Sequence, residues 1–392
     1  MPVVASALAS RAYGLEVMGG LATALMLSYA TAEIADAFSQ RHVPRLVGAG
    51  SPTAIRDRLA AYNAVRFAVL AVGLALSVIV LLLTVPDTPL WTFVVLIANV
   101  WATIASMHYA LALSTDDYLT MGLGPVVALV SLGAIALTLQ AVAPAWHVWS
   151  LAIALNVARA LELAWVRRRQ AWPGVSTDSR AVASEWNATR YLVAQAGLTA
   201  FHVRLVVPLV AFLAGTAAAG AFSIGLSLLA IVSMSAVAIS VPAYRHANAG
   251  GPPANFAVAW ARTKPDFFLG LMVSVSLALL LWLLMPWAVT TIFDVVDPAV
   301  HSIARLIVLS GLFEALAIFA VLWYHACFRD RALLKLTTIA IVGGWVLLVA
   351  GHALAGLPGM AWAFLATRAV TVLMIYPPLL GGGASSTIRA RA

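Results

Sequence analysis

Long runs of apolar residues, separated by short polar segments, dominate the chain. A helix needs about 20 residues to cross the hydrocarbon core of a bilayer, which is about 30 Å thick. Helices satisfy their backbone hydrogen bonds internally, as lipid requires. Eleven runs are long enough: 15–37, 60–84, 90–114, 118–140, 145–166, 191–213, 219–243, 266–290, 303–327, 335–357 and 360–381. We therefore predict an all-α polytopic membrane protein with about eleven transmembrane helices.

The composition agrees with this prediction and excludes a soluble domain. Hydrophobic residues make up 63% of the 392-residue chain and charged residues only 10%, with a mean hydropathy of +0.97. Soluble domains carry about 25% charged residues. The single cysteine, Cys327, rules out an intramolecular disulfide framework and a cysteine metal cluster. No spacing of His, Asp and Glu suggests a metal site, so we expect neither metal nor cofactor.

The net charge of +8 indicates topology rather than nucleic-acid binding, because the basic residues concentrate in alternate loops. One set of loops contains Arg41, Arg45, Arg56, Arg58, Arg167 to Arg169, Arg180, Arg190, Arg245, Arg262, Lys264, Arg329, Arg331, Lys335, Arg389 and Arg391. The alternate loops, around positions 86–87, 144, 215, 294–297 and 358, contain no basic residue. The positive-inside rule places the first set in the cytoplasm. Arginine outnumbers lysine 21 to 2, which is typical of a GC-rich bacterial source, so we expect a multi-pass protein of a bacterial inner membrane with a cytoplasmic C-terminus.

An internal repeat and a long polar segment predict two lobes. A shift of 201 residues aligns Gly14 with Gly215 and Gly19 with Gly220, each pair at the start of a long apolar run. The predicted domains are an N-terminal lobe of five full spans (1–166), a cytoplasmic linker (167–190), a C-terminal lobe of six spans (191–381) and a cytoplasmic tail (382–392). By this repeat the first lobe lacks its first helix, and residues 1–13 are expected outside the membrane or as a partial helix.

Four segments resemble a known family when they are taken in order along the chain. These are the turn at 10–19, the junction from Arg204 through Gly215 to Gly225, the helix end at 242–244, and the final helix from Leu357 to Thr367. Together they resemble the oligosaccharide flippase branch of the multidrug/oligosaccharidyl-lipid/polysaccharide exporter superfamily. The chain departs from the family pattern in its missing first helix and in Val203-Arg204, where many members have Asp-Arg.

The resemblance implies twelve helices, alternating access, and movement of an undecaprenyl-pyrophosphate-linked oligosaccharide to the outer leaflet. The pathway would be synthesis of a surface polysaccharide such as O-antigen, capsule or exopolysaccharide. The implied partners are the lipid-linked oligosaccharide, the bilayer, and the polymerases and glycosyltransferases of that pathway. Neither nucleic acid nor enzymatic activity is implied.

Four arginines lie inside predicted spans, where a charge costs about 2.5–3.5 kcal/mol and must face a cavity or a partner. They are Arg66, Arg159, Arg204 and Arg368. Arginine binds phosphate groups bidentately. We predict that these side chains form a path for the lipid pyrophosphate.

Structural ion pairing is the alternative interpretation of these charges. Glu33 and Asp36 share a helix face at about the depth of Arg66, and Glu162 lies three residues after Arg159. Glu314 can pair with Arg368 or serve as a coupling site for a cation. Arg204 has no acid nearby in sequence, which favours a cavity role for it.

Three other functions compete with the flippase interpretation. A cation-coupled multidrug antiporter of the same superfamily would favour an aromatic or acidic cavity, whereas this chain offers arginines. A non-transporting scaffold with the same fold is another alternative, because the first helix is missing. A membrane polysaccharide polymerase or ligase needs a large external loop, and the predicted external loops are short.

Overall fold

The computed structural model of the protein describes residues 2–36, 39, 43, 52–85, 88–114, 117–142, 147–169, 174–249, 253–327 and 329–380. The predicted tail and the predicted loops at 86–87 and 144 lie outside these residues. The described part folds into helices without strands. The helices are α1 (Pro2–Asp36), α2 (Pro52–Thr84), α3 (Leu90–Ser114), α4 (Tyr118–Val142), α5 (His147–Arg167), α6 (Ser179–Arg204), α7 (Val206–Ala214), α8 (Thr216–Asn248), α9 (Phe256–Leu283), α10 (Met285–Phe293), α11 (Pro298–Leu309), a 3₁₀ turn (Ser310–Phe313), α12 (Glu314–Ala326) and α13 (Asp330–Leu380).

Nine helices in the described part of the chain are long and apolar enough to cross a membrane. One of them, α13, contains two of the predicted spans. The predicted span 191–213 is divided between α6 and α7 and is not among the nine. When α13 is divided and the broken span is included, the nine helices correspond to the eleven predicted runs. The predicted fold class, an all-α polytopic membrane protein, is confirmed.

The α13 segment is a helical hairpin with its turn at Ala355 and Gly356. Gly356 has a φ of 60° and a ψ of −141°, a conformation that favours glycine. A Cβ atom added to Gly351 would lie 2.5 Å from the carbonyl oxygen of Gly359, and one added to Gly359 would lie 2.0 Å from that of Gly351. The two legs therefore pack backbone against backbone, which small residues permit in membrane helices.

Proline explains the break between α6 and α7. Pro208 has no N–H, so it cannot donate to the carbonyl of Arg204, four residues earlier. The helix stops at Arg204, and α7 starts at Val206 with a hydrogen bond of 3.0 Å from the Leu209 N–H to the Leu205 carbonyl. The sequence therefore places Arg204 at a helix end inside the predicted span.

The two glycines aligned by the internal repeat have nearly the same backbone conformation. Gly14 has φ 79° and ψ 179°, and Gly215 has φ 89° and ψ 168°. This region is essentially restricted to glycine. Residues 2–13 are helical before Gly14, as α7 is helical before Gly215. The shared geometry agrees with the repeat.

The chain forms two compact units, Met1–Ser223 and Ile224–Ala392. In the first unit, α1 packs against α2, α3, α5, α6 and α7. In the second unit, α9, α12 and α13 pack around the 3₁₀ turn. Helices α6 and α7, which follow the predicted linker, pack on α1 and α2, and the predicted lobe boundary stays a prediction. Helix α6 also starts at Ser179, inside the predicted 167–190 linker.

Candidate functional site

Each of the four arginines predicted for the path contacts a carboxylate. In three pairs the nitrogen–oxygen distances are 3.1 Å for Arg66–Asp36, 2.6 Å for Arg159–Glu162 and 3.3 Å for Arg368–Glu314. The fourth pair is Arg204–Glu33. The first three pairs are those that the sequence offered as the alternative to a cavity role. The fourth joins residues 171 positions apart, and sequence reasoning missed it.

Arg66 ties three helices together. Its side chain is only 2% exposed and donates to Asn63 on its own helix at 3.0 Å and to Asp36 on α1 at 3.1 Å. It also donates to the Ser106 hydroxyl at 2.6 Å and to the Thr103 carbonyl on α3. Removing one partner of a buried pair costs about 3–5 kcal/mol. The geometry of Arg66 is that of a structural cross-link between α1, α2 and α3.

Arg159 and Glu162 form a second polar group on α5. Arg159 contacts one carboxylate oxygen of Glu162 at 2.6 Å, and the Tyr109 hydroxyl of α3 donates to the other at 2.7 Å. Glu162 is nearly buried, with 3% of its side chain exposed, and Arg159 is 15% exposed. Tyr29 of α1 also lies close to Arg159.

Arg204 has the most exposed side chain of the four arginines. Its side chain is 27% exposed, and that of Glu33 is 39% exposed. The Nε atom of Arg204 donates to the Oε1 atom of Glu33 at 3.0 Å, and a terminal nitrogen donates to the same oxygen. The guanidinium also lies over the Tyr29 ring, 5.4 Å from its centroid. Arg204 lies within the predicted span 191–213, and a partly exposed charge there indicates an opening to water, because lipid does not solvate it.

Tyr29 lies between Arg159 and Arg204, and sequence reasoning did not identify it. Its ring faces Arg204, and its side chain lies close to Arg159. Tyr29, Glu33 and Asp36 are spaced four and three residues apart, so they lie along one side of α1. A tyrosine in register with two acids in an otherwise apolar helix was the available signal.

The second unit contains a separate charged pair. Glu314 is the first residue of α12, directly after the 3₁₀ turn, and Arg368 lies on the second leg of α13. Both side chains are 10% exposed. The Arg368 guanidinium also lies 5.2 Å from the centroid of the Phe364 ring. A 3₁₀ turn within a long helix often marks a hinge.

Aromatic side chains of the second unit pack against each other rather than around an opening. Trp323, Phe267 and Phe319 are at most 7% exposed, and their neighbouring ring centroids lie 5.5–6.0 Å apart. The Trp323 indole donates to the Thr263 hydroxyl at 2.9 Å. This cluster forms a packed core and offers no room for an aromatic cage. Among the described residues, no group of three or more His, Cys, Asp or Glu side chains is arranged to hold a metal ion.

A bundle of apolar helices that carries arginine–carboxylate pairs is the architecture of a multi-pass membrane protein. Among solved structures, the lipid II flippase MurJ in an inward closed conformation is similar, with a TM-score of 0.74 and 11% identity over 95% of this chain and 84% of that chain. An inward-facing multidrug resistance MATE family transporter of the MOP superfamily has a TM-score of 0.63 and 13% identity, over 96% of this chain and 91% of that one.

The MATE transporter VcmN of Vibrio cholerae in its bent form is similar as well, with a TM-score of 0.60 and 14% identity over 97% of this chain and 91% of that chain. No protein-family profile and no curated protein matches the sequence. The chain therefore has the fold of the MOP exporters, and the resemblance stated from its sequence is confirmed at the level of the fold.

Proposed function

We propose that this protein moves an undecaprenyl-pyrophosphate-linked oligosaccharide across a bacterial inner membrane by alternating access. The fold supports transport, since MurJ is a flippase for a lipid and the MATE structures are transporters. The chemistry supports an anionic substrate, because arginine is the side chain that binds pyrophosphate best. The transported lipid would serve synthesis of a surface polysaccharide.

The accessible Arg204 guanidinium is the observation that carries this proposal. Arg204 lies at the helix break before Pro208, where the chain exposes 27% of its side chain inside a span. A charge within the membrane is costly unless it faces a water-filled cavity or a partner. A pyrophosphate oxygen can accept from the same two guanidinium nitrogens that now donate to Glu33.

The other arginines contribute to different degrees in this proposal. Arg159 lies close to the same tyrosine as Arg204, so it is the second contact for the pyrophosphate in the first unit. Arg368 is a candidate anion contact in the second unit, paired with Glu314. Arg66 is buried in a network of hydrogen bonds and acts on the site by fixing α1.

The proposal includes an orientation and partners. The basic loops are placed in the cytoplasm, together with the C-terminus, so that the substrate enters from the side on which it is made. Glycosyltransferases would supply the lipid-linked oligosaccharide, and a polymerase would use it after transport. No bond of the substrate is made or broken during transport.

A cation-coupled multidrug antiporter is the second candidate. The similarity to MATE structures over more than 90% of both chains favours it, as do the acidic groups Glu33 and Glu314. Against it stand the pairing of both acids with arginine and the closed packing of the aromatic cluster. A non-transporting scaffold with the same fold is a third reading.

Complementation in the bacterial host separates these functions. Deletion of the chromosomal copy should abolish the surface polysaccharide, and re-expression should restore it. Arg204→Ala should fail to restore export although the protein is inserted in the membrane, whereas Arg180→Ala, an exposed arginine outside the span on the same helix, should succeed. Normal export with Arg204→Ala would refute the anion site. Lost resistance to ethidium with intact polysaccharide would favour the antiporter.

A further inference from the structure

The Glu33 carboxylate occupies the donor groups of Arg204 that an anionic substrate would need. The Nε atom and a terminal nitrogen of Arg204 both donate to the Oε1 atom of Glu33. Carboxylate and phosphate oxygens accept from a guanidinium fork in the same way. An oxygen of a pyrophosphate and the Glu33 oxygen therefore compete for one position.

Exposure separates this pair from the other three arginine–carboxylate pairs of the spans. The two side chains of Arg204–Glu33 are 27% and 39% exposed. In each of the other pairs at least one side chain is exposed by 10% or less. Separation of those pairs would leave a buried charge without its counter-ion, which is strongly unfavourable. Glu33 can leave Arg204 and remain in contact with water.

Helix α1 supplies both a fixed contact and an exchangeable contact for Arg204. The Tyr29 ring lies 5.4 Å from the guanidinium carbon, and Glu33 follows one helical turn later. A cation–π contact does not use the N–H groups that point in the plane of the guanidinium. When Glu33 leaves, Tyr29 therefore still contacts the guanidinium, and the two nitrogens that Glu33 held can donate to a substrate oxygen.

We propose that Glu33 is an internal competitor that holds the pyrophosphate site on Arg204 when no substrate is bound. This proposal rests on the proposed function and specifies how the same site binds and releases its substrate. On binding, the pyrophosphate displaces the carboxylate. On release, the carboxylate returns, so that Arg204 has a counter-ion in both states. Glu33 thereby lowers the affinity of the site for the pyrophosphate and speeds release of the substrate.

Binding of geranylgeranyl pyrophosphate to the purified full chain in detergent tests this role. Glu33→Gln should bind it at least about tenfold more tightly than the unmodified protein, a change of about 1.4 kcal/mol. Glu16→Gln is the matched control, because it removes the same charge from an exposed position of the same helix and should not change affinity. Geranylgeraniol, which lacks the pyrophosphate, should bind equally to all variants.

Arg204→Gln distinguishes failure of this inference from failure of the proposed function. If Arg204→Gln loses binding while Glu33→Gln binds no more tightly, the pyrophosphate site stands and the competitor role is wrong. If Arg204→Gln binds as the unmodified protein does, the site itself is wrong. If Glu33→Gln and Glu16→Gln raise the affinity for geranylgeranyl pyrophosphate equally, the effect comes from the net charge of the protein alone. That result would also overturn the inference. Thermal unfolding of each variant shows whether it is folded.

Discussion

Gly359→Ala in the α13 hairpin should destabilise the protein. The added Cβ would lie 2.0 Å from the Gly351 carbonyl oxygen and 3.0 Å from the Ala355 Cβ. Because the nearest atom belongs to backbone, the two legs of the hairpin must separate by about 1 Å for ordinary contact. Overpacking of this kind costs about 1–3 kcal/mol. The higher helix propensity of alanine returns about 0.5–1 kcal/mol, so we expect a net loss of about 1 kcal/mol and at most about 2.5 kcal/mol.

Gly343→Ala on the same helix is the matched control, because nothing lies within 4 Å of its added Cβ. Helix propensity alone acts there, so this variant should be as stable as the unmodified protein or slightly more stable. A thiol-reactive dye can follow thermal unfolding in detergent, since the chain has a single cysteine, Cys327. Gly359→Ala should unfold at a lower temperature than Gly343→Ala. Equal midpoints would refute the backbone contact between the legs.

Two further predictions concern the Arg66–Asp36 pair and the orientation of the protein in the membrane. Asp36→Asn removes the carboxylate from Arg66, which is 2% exposed, and should destabilise the fold by about 3–5 kcal/mol; unchanged thermal stability would contradict the cross-link. In a Cys327→Ala background, an impermeant maleimide should label Val296→Cys from outside intact cells and Thr177→Cys only after the cells are opened, since both positions are exposed. The reverse pattern would overturn the orientation.

The membrane helices could be predicted from sequence because hydropathy and length act locally. Lipid imposes the same requirement on each segment separately, so the runs at 335–357 and 360–381 were recognisable before their hairpin was known. The break at Arg204 is also local, because Pro208 removes one specific hydrogen bond. Pairing of Arg159 with Glu162 follows from their three-residue spacing on one helix.

The partner of Arg204 could not be predicted because it depends on contacts between distant segments. Helices α6 and α7 pack on α1, and this packing brings Glu33 to Arg204 across 171 residues. The same packing places Tyr29 against the guanidinium. Sequence spacing assigned Glu33 to the surroundings of Arg66, whereas in the structure Asp36 alone of these two acids pairs with Arg66.

Lipid transport by the purified protein in liposomes tests the central proposal most directly. An undecaprenyl-pyrophosphate-linked oligosaccharide with a fluorophore on its sugar is quenched by impermeant dithionite only in the outer leaflet. The protein should bring the fluorophore of the inner leaflet within reach of dithionite, and Arg180→Gln should do so equally. Arg204→Gln should be slower by at least about tenfold, because a charge-assisted hydrogen bond contributes about 1.5–3 kcal/mol. Quenching no faster than in protein-free liposomes, or equal rates for Arg204→Gln and the unmodified protein, would contradict the proposal.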